Sequence, residues 1–182
     1  MPAPTRKVWR TRLASEQYEE SLLEFLIFAL YARVGEPGTL RVEGKTTRFD
    51  LKQTLGRGEF AAAVPLAFQT PHGRTLTHRV GILVTTANGK LLAIDLKWAV
   101  SDLDAIKARA YDMLLLKQSL GEQLWGMMIY LRPAGGGITG EQAREICFTY
   151  DQFFAIEHQD PQNPAAWVPI LDRIEAEIAS RT

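Results

Sequence analysis

Thr75-Leu-Thr-His-Arg-Val-Gly-Ile-Leu-Val-Thr-Thr86, then Ala87-Asn88-Gly89, then Lys90-Leu-Leu-Ala-Ile-Asp-Leu-Lys-Trp98 is the stretch whose reading sets the architecture. Both flanks are rich in β-branched and large apolar residues. Asn-Gly between two such runs is a strong hairpin signal, because a tight type I′ turn needs positive φ at both central positions. Two antiparallel central strands are therefore expected. On the second, Leu92, Ile94, Leu96 and Trp98 face one way, and Leu91, Ala93, Asp95 and Lys97 the other. Asp95 and Lys97 thus emerge together. Pairing through the Asn88-Gly89 turn puts Ile82 opposite Asp95 and Val80 opposite Lys97.

Downstream, Ser101 and Asp104 resemble a capping box, opening a helix over Asp102 to Leu120 that ends at Gly121. Its apolar stripe reads Leu103, Ile106, Ala110, Met113, Leu114. Leu124 to Leu131 reads as a buried strand, and strand, helix, strand implies a crossover into the same sheet. Past Gly135-Gly-Gly137 the segment from Thr139 starts helical and turns strand-like over Ile146 to Tyr150, with a closing amphipathic helix over 169–180. Upstream, Ser15 is a good N-cap for a helix containing Leu22 to Leu30, apolar nearly all round and so buried on most sides. Residues 36–74, punctuated by glycines, hold short strands such as Leu40-Arg-Val and Phe60-Ala-Ala-Ala-Val. The fold class is α/β: a mixed sheet with a central antiparallel hairpin, flanked by helices.

Composition narrows the function classes. The 182 residues carry 21 Lys and Arg against 21 Asp and Glu, so any polyanion binding has to be local. Residues 1–14 form a basic arm with Arg6, Lys7, Arg10 and Arg12 and no acid, read either as a phosphate-contacting arm or as a solvated tail; residues 15–182 form one domain. The single cysteine, Cys147, excludes an internal disulfide and fits a small core residue better than a nucleophile. No signal-peptide pattern is visible, and the longest uncharged apolar run, Phe25 to Ala32, is far short of a bilayer span, so the chain reads as soluble and cytoplasmic without a membrane partner.

Chemistry concentrates at Asp95-Leu-Lys97. A carboxylate that holds a divalent ion beside an ammonium that orients water can serve phosphodiester hydrolysis. An ordinary surface ion pair between the two explains the same letters, and Asp50-Leu-Lys52 repeats them. Glu24, inside the apolar run of the first helix, needs a partner, a metal or a proton, unless it shares a wet stripe with Glu20.

The order of elements around Arg79 to Trp98 resembles the PD-(D/E)xK superfamily of metal-dependent nucleases, whose restriction endonuclease-like core runs helix, three strands, helix, strand. The resemblance covers roughly residues 15–132. It implies that Asp95 is a ligand of Mg²⁺ or Mn²⁺, that Lys97 positions water at a scissile phosphate, and that Glu24 is the first-helix acid assisting the metal. It further implies DNA as the partner, with Lys107 and Arg109 joining Arg6, Lys7, Arg10 and Arg12 on the backbone; Tyr111 lies where some members carry a tyrosine. The sequence departs from the family on the first hairpin strand, where Val80, Gly81 and Ile82 stand in place of an acid. A migrated carboxylate from Glu24, Asp50 or Glu59, or His78 as a nitrogen ligand, would repair the site; without repair the fold persists as a nucleic-acid-binding or protein-interaction module, homodimerisation around Trp98, Trp125 or Trp167 being one form. A small α/β protein with no nucleic-acid role is a third reading, consistent with the neutral charge.

Overall fold

The computed structural model describes residues 6–98, 103–132, 138–157 and 163–181, with side chains on the first helix from Gln17 onward. Seven strands form one sheet in sequence order: β1 (Arg41–Glu43), β2 (Thr46–Asp50), β3 (Glu59–Gln69), β4 (Thr75–Thr85), β5 (Leu91–Trp98), β6 (Leu124–Arg132) and β7 (Gln152–Glu157). Strands β1 to β5 pair antiparallel, and β6 and β7 continue the sheet in parallel from β5. The expected mixed sheet with a central hairpin is present. Helices α1 (Arg6–Val34) and α4 (Val168–Ser180) pack on one face, around Leu26, Leu30, Ile94, Ile129 and Ile174. Helices α2 (Leu103–Leu120) and α3 (Gly140–Ile146) pack on the other, around Ile106, Met113, Leu116, Met128 and Tyr130. No helix among the described residues is long and apolar enough to cross a membrane.

Several boundaries differ from the sequence reading. Helix α1 starts at Arg6, so Ser15 is interior to it and does not cap it; good helix formers, Lys7, Arg10 and Arg12 among them, extend it backward past the capping signal. Its apolar run is buried along one stripe, Leu22, Leu26, Ile27, Leu30 and Val34, while Phe28 is exposed. The α3 helix carries the capping box of Thr139 with Gln142, and the following strand starts at Gln152; Ile146 to Tyr150 instead ends the helix and forms a turn. On α2, Leu103 is exposed and Leu114 half-buried, the inner stripe being Ile106, Ala110, Met113 and Leu116. Trp167 and Trp125 are buried, and Trp98 is half-buried against Tyr18, ring centroids 4.4 Å apart. Ser101, His158 and Gly135 to Gly137 lie outside the described residues.

The register at the central hairpin is shifted by one from the expected pairing. Ile82 stands opposite Ile94 and Thr85 opposite Leu91. The loop is Ala87-Asn88-Gly89, closed by Thr86 N–H to the Lys90 carbonyl and Gly89 N–H to the Thr86 carbonyl, with Gly89 at φ +73°. Such a three-residue loop with a left-handed glycine replaces the two-residue turn. One residue of slip exchanges faces, and it brings Gly81, not Ile82, level with Asp95.

A second irregularity decides which groups meet. In β3 and β4 the ladder pairs Ala62 with Ile82 and Val64 with Val80, skipping Ala63 and Gly81. Ala63 has φ +57°, the only positive φ outside glycine among the described residues. Ala62, Ile82 and Val84 pack into the α1 core, yet Val64, Leu66, Phe68 and Val80 pack into the α2 core. The hairpin therefore changes faces at this level, a left-handed residue rotating the strand beyond it.

Candidate functional site

His78 lies beyond that switch and so reaches the face of Asp95, which simple alternation from Ile82 and Ile94 would deny it. It is buried between two carboxylates: Nε2 is 3.0 Å from Asp95 Oδ2 and Nδ1 is 3.0 Å from Asp112 Oδ2. A neutral imidazole donates from one nitrogen only, so facing acceptors on both sides calls for the imidazolium. Burial pushes the His78 pKa down, but the bond and charge of Asp95 and the bond of Asp112 outweigh it, and the value is raised above 6.5. Tyr150 O–H donates to Asp95 Oδ2 at 2.7 Å, Gly81 N–H donates to Oδ1 at 3.3 Å, and Arg109 Nη1 lies 3.8 Å from Oδ1. Burial alone would raise the Asp95 pKa; the bond and charge of His78, the charge of Arg109 and the Tyr150 bond hold it below 3.8. Burial, then Asp95, raises the Tyr150 phenol well above its usual value, so it stays a donor. Two carboxylates, two cations and a phenol thus form one network bridging β4, β5, α2 and the turn after α3.

This network makes folding stability pH-dependent at both ends. Because the folded-state pKa of His78 is raised, its contribution is complete below 6.5 and is lost as pH rises through the folded value; because that of Asp95 is lowered, its contribution is complete above 3.8 and is lost as pH falls through the folded value. Urea midpoints measured from acid to mildly alkaline pH are expected to form a plateau with two falling limbs. In His78→Gln the alkaline limb should disappear; if that limb persists, His78 is not its source.

Lys97 does not pair with Asp95. Its ammonium sits 2.9 Å from Glu19 Oε1 of α1, and the same oxygen accepts from the Trp98 N–H at 2.9 Å. A cavity of about 300 Å³ opens beside Asp95, bordered by Glu19 and Glu20 of α1, Arg79 and Gly81 of β4, and Arg109 of α2. Glu24 is exposed and does not border it. Asp50 and Glu59 stay in ion pairs with Arg41 at 3.0 Å and Arg48 at 3.3 Å, so neither has migrated to Asp95. Lys107 is on the exposed side of α2, 3.6 Å from Asp104. Arg6, Lys7, Arg10 and Arg12 belong to the first turns of α1, and their side chains lie outside the described residues. Cys147 is buried, its thiol pushed up to about 12 by burial and by Asp95, in keeping with a core residue.

The residues present do not fit a divalent ion. Mg²⁺ and Mn²⁺ need several oxygen ligands with free lone pairs. Asp95 Oδ2 already accepts from His78 and Tyr150, and Oδ1 faces Gly81 N–H and Arg109. Two cationic groups hold the place where a dication would have to approach. Among the described residues no group of three or more His, Cys, Asp or Glu side chains is arranged to hold a metal. Neither Asp112 nor Tyr150 is among the site residues expected from the sequence. Asp112 carries a signal there, since it stands three residues from Arg109 beside the inner stripe of α2; Tyr150 carries none beyond its apolar surroundings.

No family model matches the chain, and no curated protein matches it. Among solved structures it is similar to a repair endonuclease from Pyrococcus abyssi, at 20% identity and a TM-score of 0.30 over 54% of this chain. The chain spans 40% of the length of that endonuclease.

Proposed function

We propose that this is a nuclease-fold protein that binds nucleic acid and does not hydrolyse it by a metal-dependent route. The observation that carries this reading is the saturation of Asp95 by His78, Tyr150, Gly81 and Arg109, with a glycine level with it where the resemblance calls for a second acid. Binding is supported by the cavity beside it. Arg79 is exposed on its rim, and Arg109 reaches across to donate to the Arg79 carbonyl at 3.0 Å, so both arginines border the same cavity. From Glu19, at the same cavity, α1 continues toward Arg12 and Arg6, roughly 10–20 Å along the helix axis. Phosphates running from the cavity along α1 would meet that basic segment.

Metal-dependent DNA hydrolysis, with Asp95 as ligand and Lys97 positioning water, is the second reading. It is favoured by the presence of Glu19, Glu20 and Asp95 around one cavity, and it requires Asp95 to shed His78 and Tyr150. The two separate in a single set of assays on plasmid and branched DNA with Mg²⁺ or Mn²⁺. Salt-sensitive binding without nicking is expected, weakened by Arg79→Ala and Arg109→Ala. Metal-dependent nicking that Asp95→Asn abolishes would replace the first reading with the second, and absence of salt-sensitive binding would remove nucleic acid as the partner.

A further inference from the structure

We infer that the Lys97 ammonium and the Trp98 backbone N–H form a phosphate site that Glu19 occupies as an internal stand-in, and that a phosphate of a bound nucleic-acid strand displaces Glu19 from it. The inference rests on the nucleic-acid reading and adds to it the contact that limits affinity. Both donors meet on one carboxylate: Lys97 Nζ is 2.9 Å from Oε1 and 3.3 Å from Oε2, and the Trp98 N–H donates to Oε1 at 2.9 Å. An ammonium beside a main-chain N–H is a donor set suited to phosphodiester oxygens, and a carboxylate fills it with the same sign of charge.

The fold accounts for the free N–H. Pairing of β5 with β4 runs from Leu91 to Ile94 and stops near Gly81, where β4 changes face. Beyond that point the Trp98 N–H serves a side chain of α1 instead of a strand carbonyl. Helix α1 is held on the sheet by more than this pair, since Leu22, Leu26, Leu30 and Val34 are buried beneath it and Tyr18 packs edge-on against the Trp98 ring. Turning Glu19 out about its side-chain bonds therefore leaves the helix in place.

Glu19 also separates Lys97 from the arginines. It borders the cavity that Arg79 and Arg109 border, and Lys97 does not. A strand whose phosphates reach those arginines runs beside the Glu19 carboxylate, like charge against like. Release of Glu19 removes that repulsion and opens Lys97 and the Trp98 N–H to the strand.

Fluorescence anisotropy of a labelled duplex DNA oligonucleotide, titrated with the full chain over a range of salt, tests the inference. Glu19→Gln keeps an oxygen for the Trp98 N–H while removing the charge, and is expected to bind about tenfold tighter than wild type, with a salt slope steeper by about one. Glu19→Met, which bonds neither donor, carries the same expectation. Glu20→Gln removes an equal charge from the same cavity without touching Lys97 and should gain much less. Lys97→Met should cost more affinity in the Glu19→Gln background than in wild type, a coupling that a general change of charge would not give. If wild type binds in a salt-sensitive way but neither Glu19 variant gains more than Glu20→Gln, or if the gain survives Lys97→Met, the inference falls and the nucleic-acid reading stands. If none of the proteins binds the oligonucleotide, both fall. A gain toward inorganic phosphate alone, with no oligonucleotide bound, overturns both as well, since the ligand is then a free anion.

Discussion

Asp95→Ala is expected to cost about 3–5 kcal/mol of folding stability, the range for removing one member of a buried ion pair and leaving the other uncompensated. The side chain is 2% exposed and is the common acceptor of His78, Tyr150 and Gly81. Its loss leaves the imidazolium with Asp112 alone and the Tyr150 hydroxyl without its carboxylate acceptor. A residue retained only to ligate an ion at an exposed site would behave in the opposite way, since removing a carboxylate from such a site relieves repulsion. Urea unfolding of the single and double variants with His78→Ala separates the two, because the His78 and Asp95 effects should be strongly non-additive. A loss under about 1 kcal/mol would mean the network contributes little to stability, and simple additivity would mean that His78 and Asp95 act independently.

Gly81→Asp, the substitution that writes the missing family acid back into the strand, is expected to destabilise the fold by about 2–3 kcal/mol without creating metal dependence. A Cβ at this position would lie 3.0 Å from the Ile94 carbonyl oxygen and 3.5 Å from Leu23 Cδ1. The nearer atom is backbone in a paired strand and cannot swing aside. The new carboxylate would crowd that carbonyl, while Asp95 kept its existing donors. Thermal unfolding with and without Mn²⁺ measures both parts. A variant of wild-type stability, or one that Mn²⁺ stabilises, would mean that the site is a metal site lacking one ligand.

Much of the architecture is legible in the sequence. Asn88-Gly89 marks the central hairpin, the alternation of Leu92, Ile94 and Leu96 marks the buried face of β5, and the length of the helix before Leu124 implies the parallel crossover. What escapes are the quantities that depend on a single residue. One extra loop residue moves Gly81 level with Asp95, and the letters Ala87-Asn88-Gly89 permit both loop lengths. The face switch at Ala63 is hidden because alanine carries no signal for a left-handed conformation, although Gly81 inside a strand is a known mark of irregularity. With register and face both altered, the site cannot be assembled from spacing. Asp95 and Lys97 do share one strand, but they are not the solvent-facing neighbours that alternation suggests; His78 does come to Asp95, Nε2 within 3.0 Å of Oδ2.

The change of face at Ala63 and Gly81 also has a mechanical side. Ala62, Ile82 and Val84 of the β3–β4 hairpin are cemented into the α1 and α4 layer, and Val64, Leu66, Phe68 and Val80 into the α2 layer. Strands that present one face throughout let the two layers of a sandwich loosen separately. Here each strand is a rivet driven through both, so peeling either layer of helices away drags on the backbone that anchors the other, and the molecule should come apart in one cooperative step.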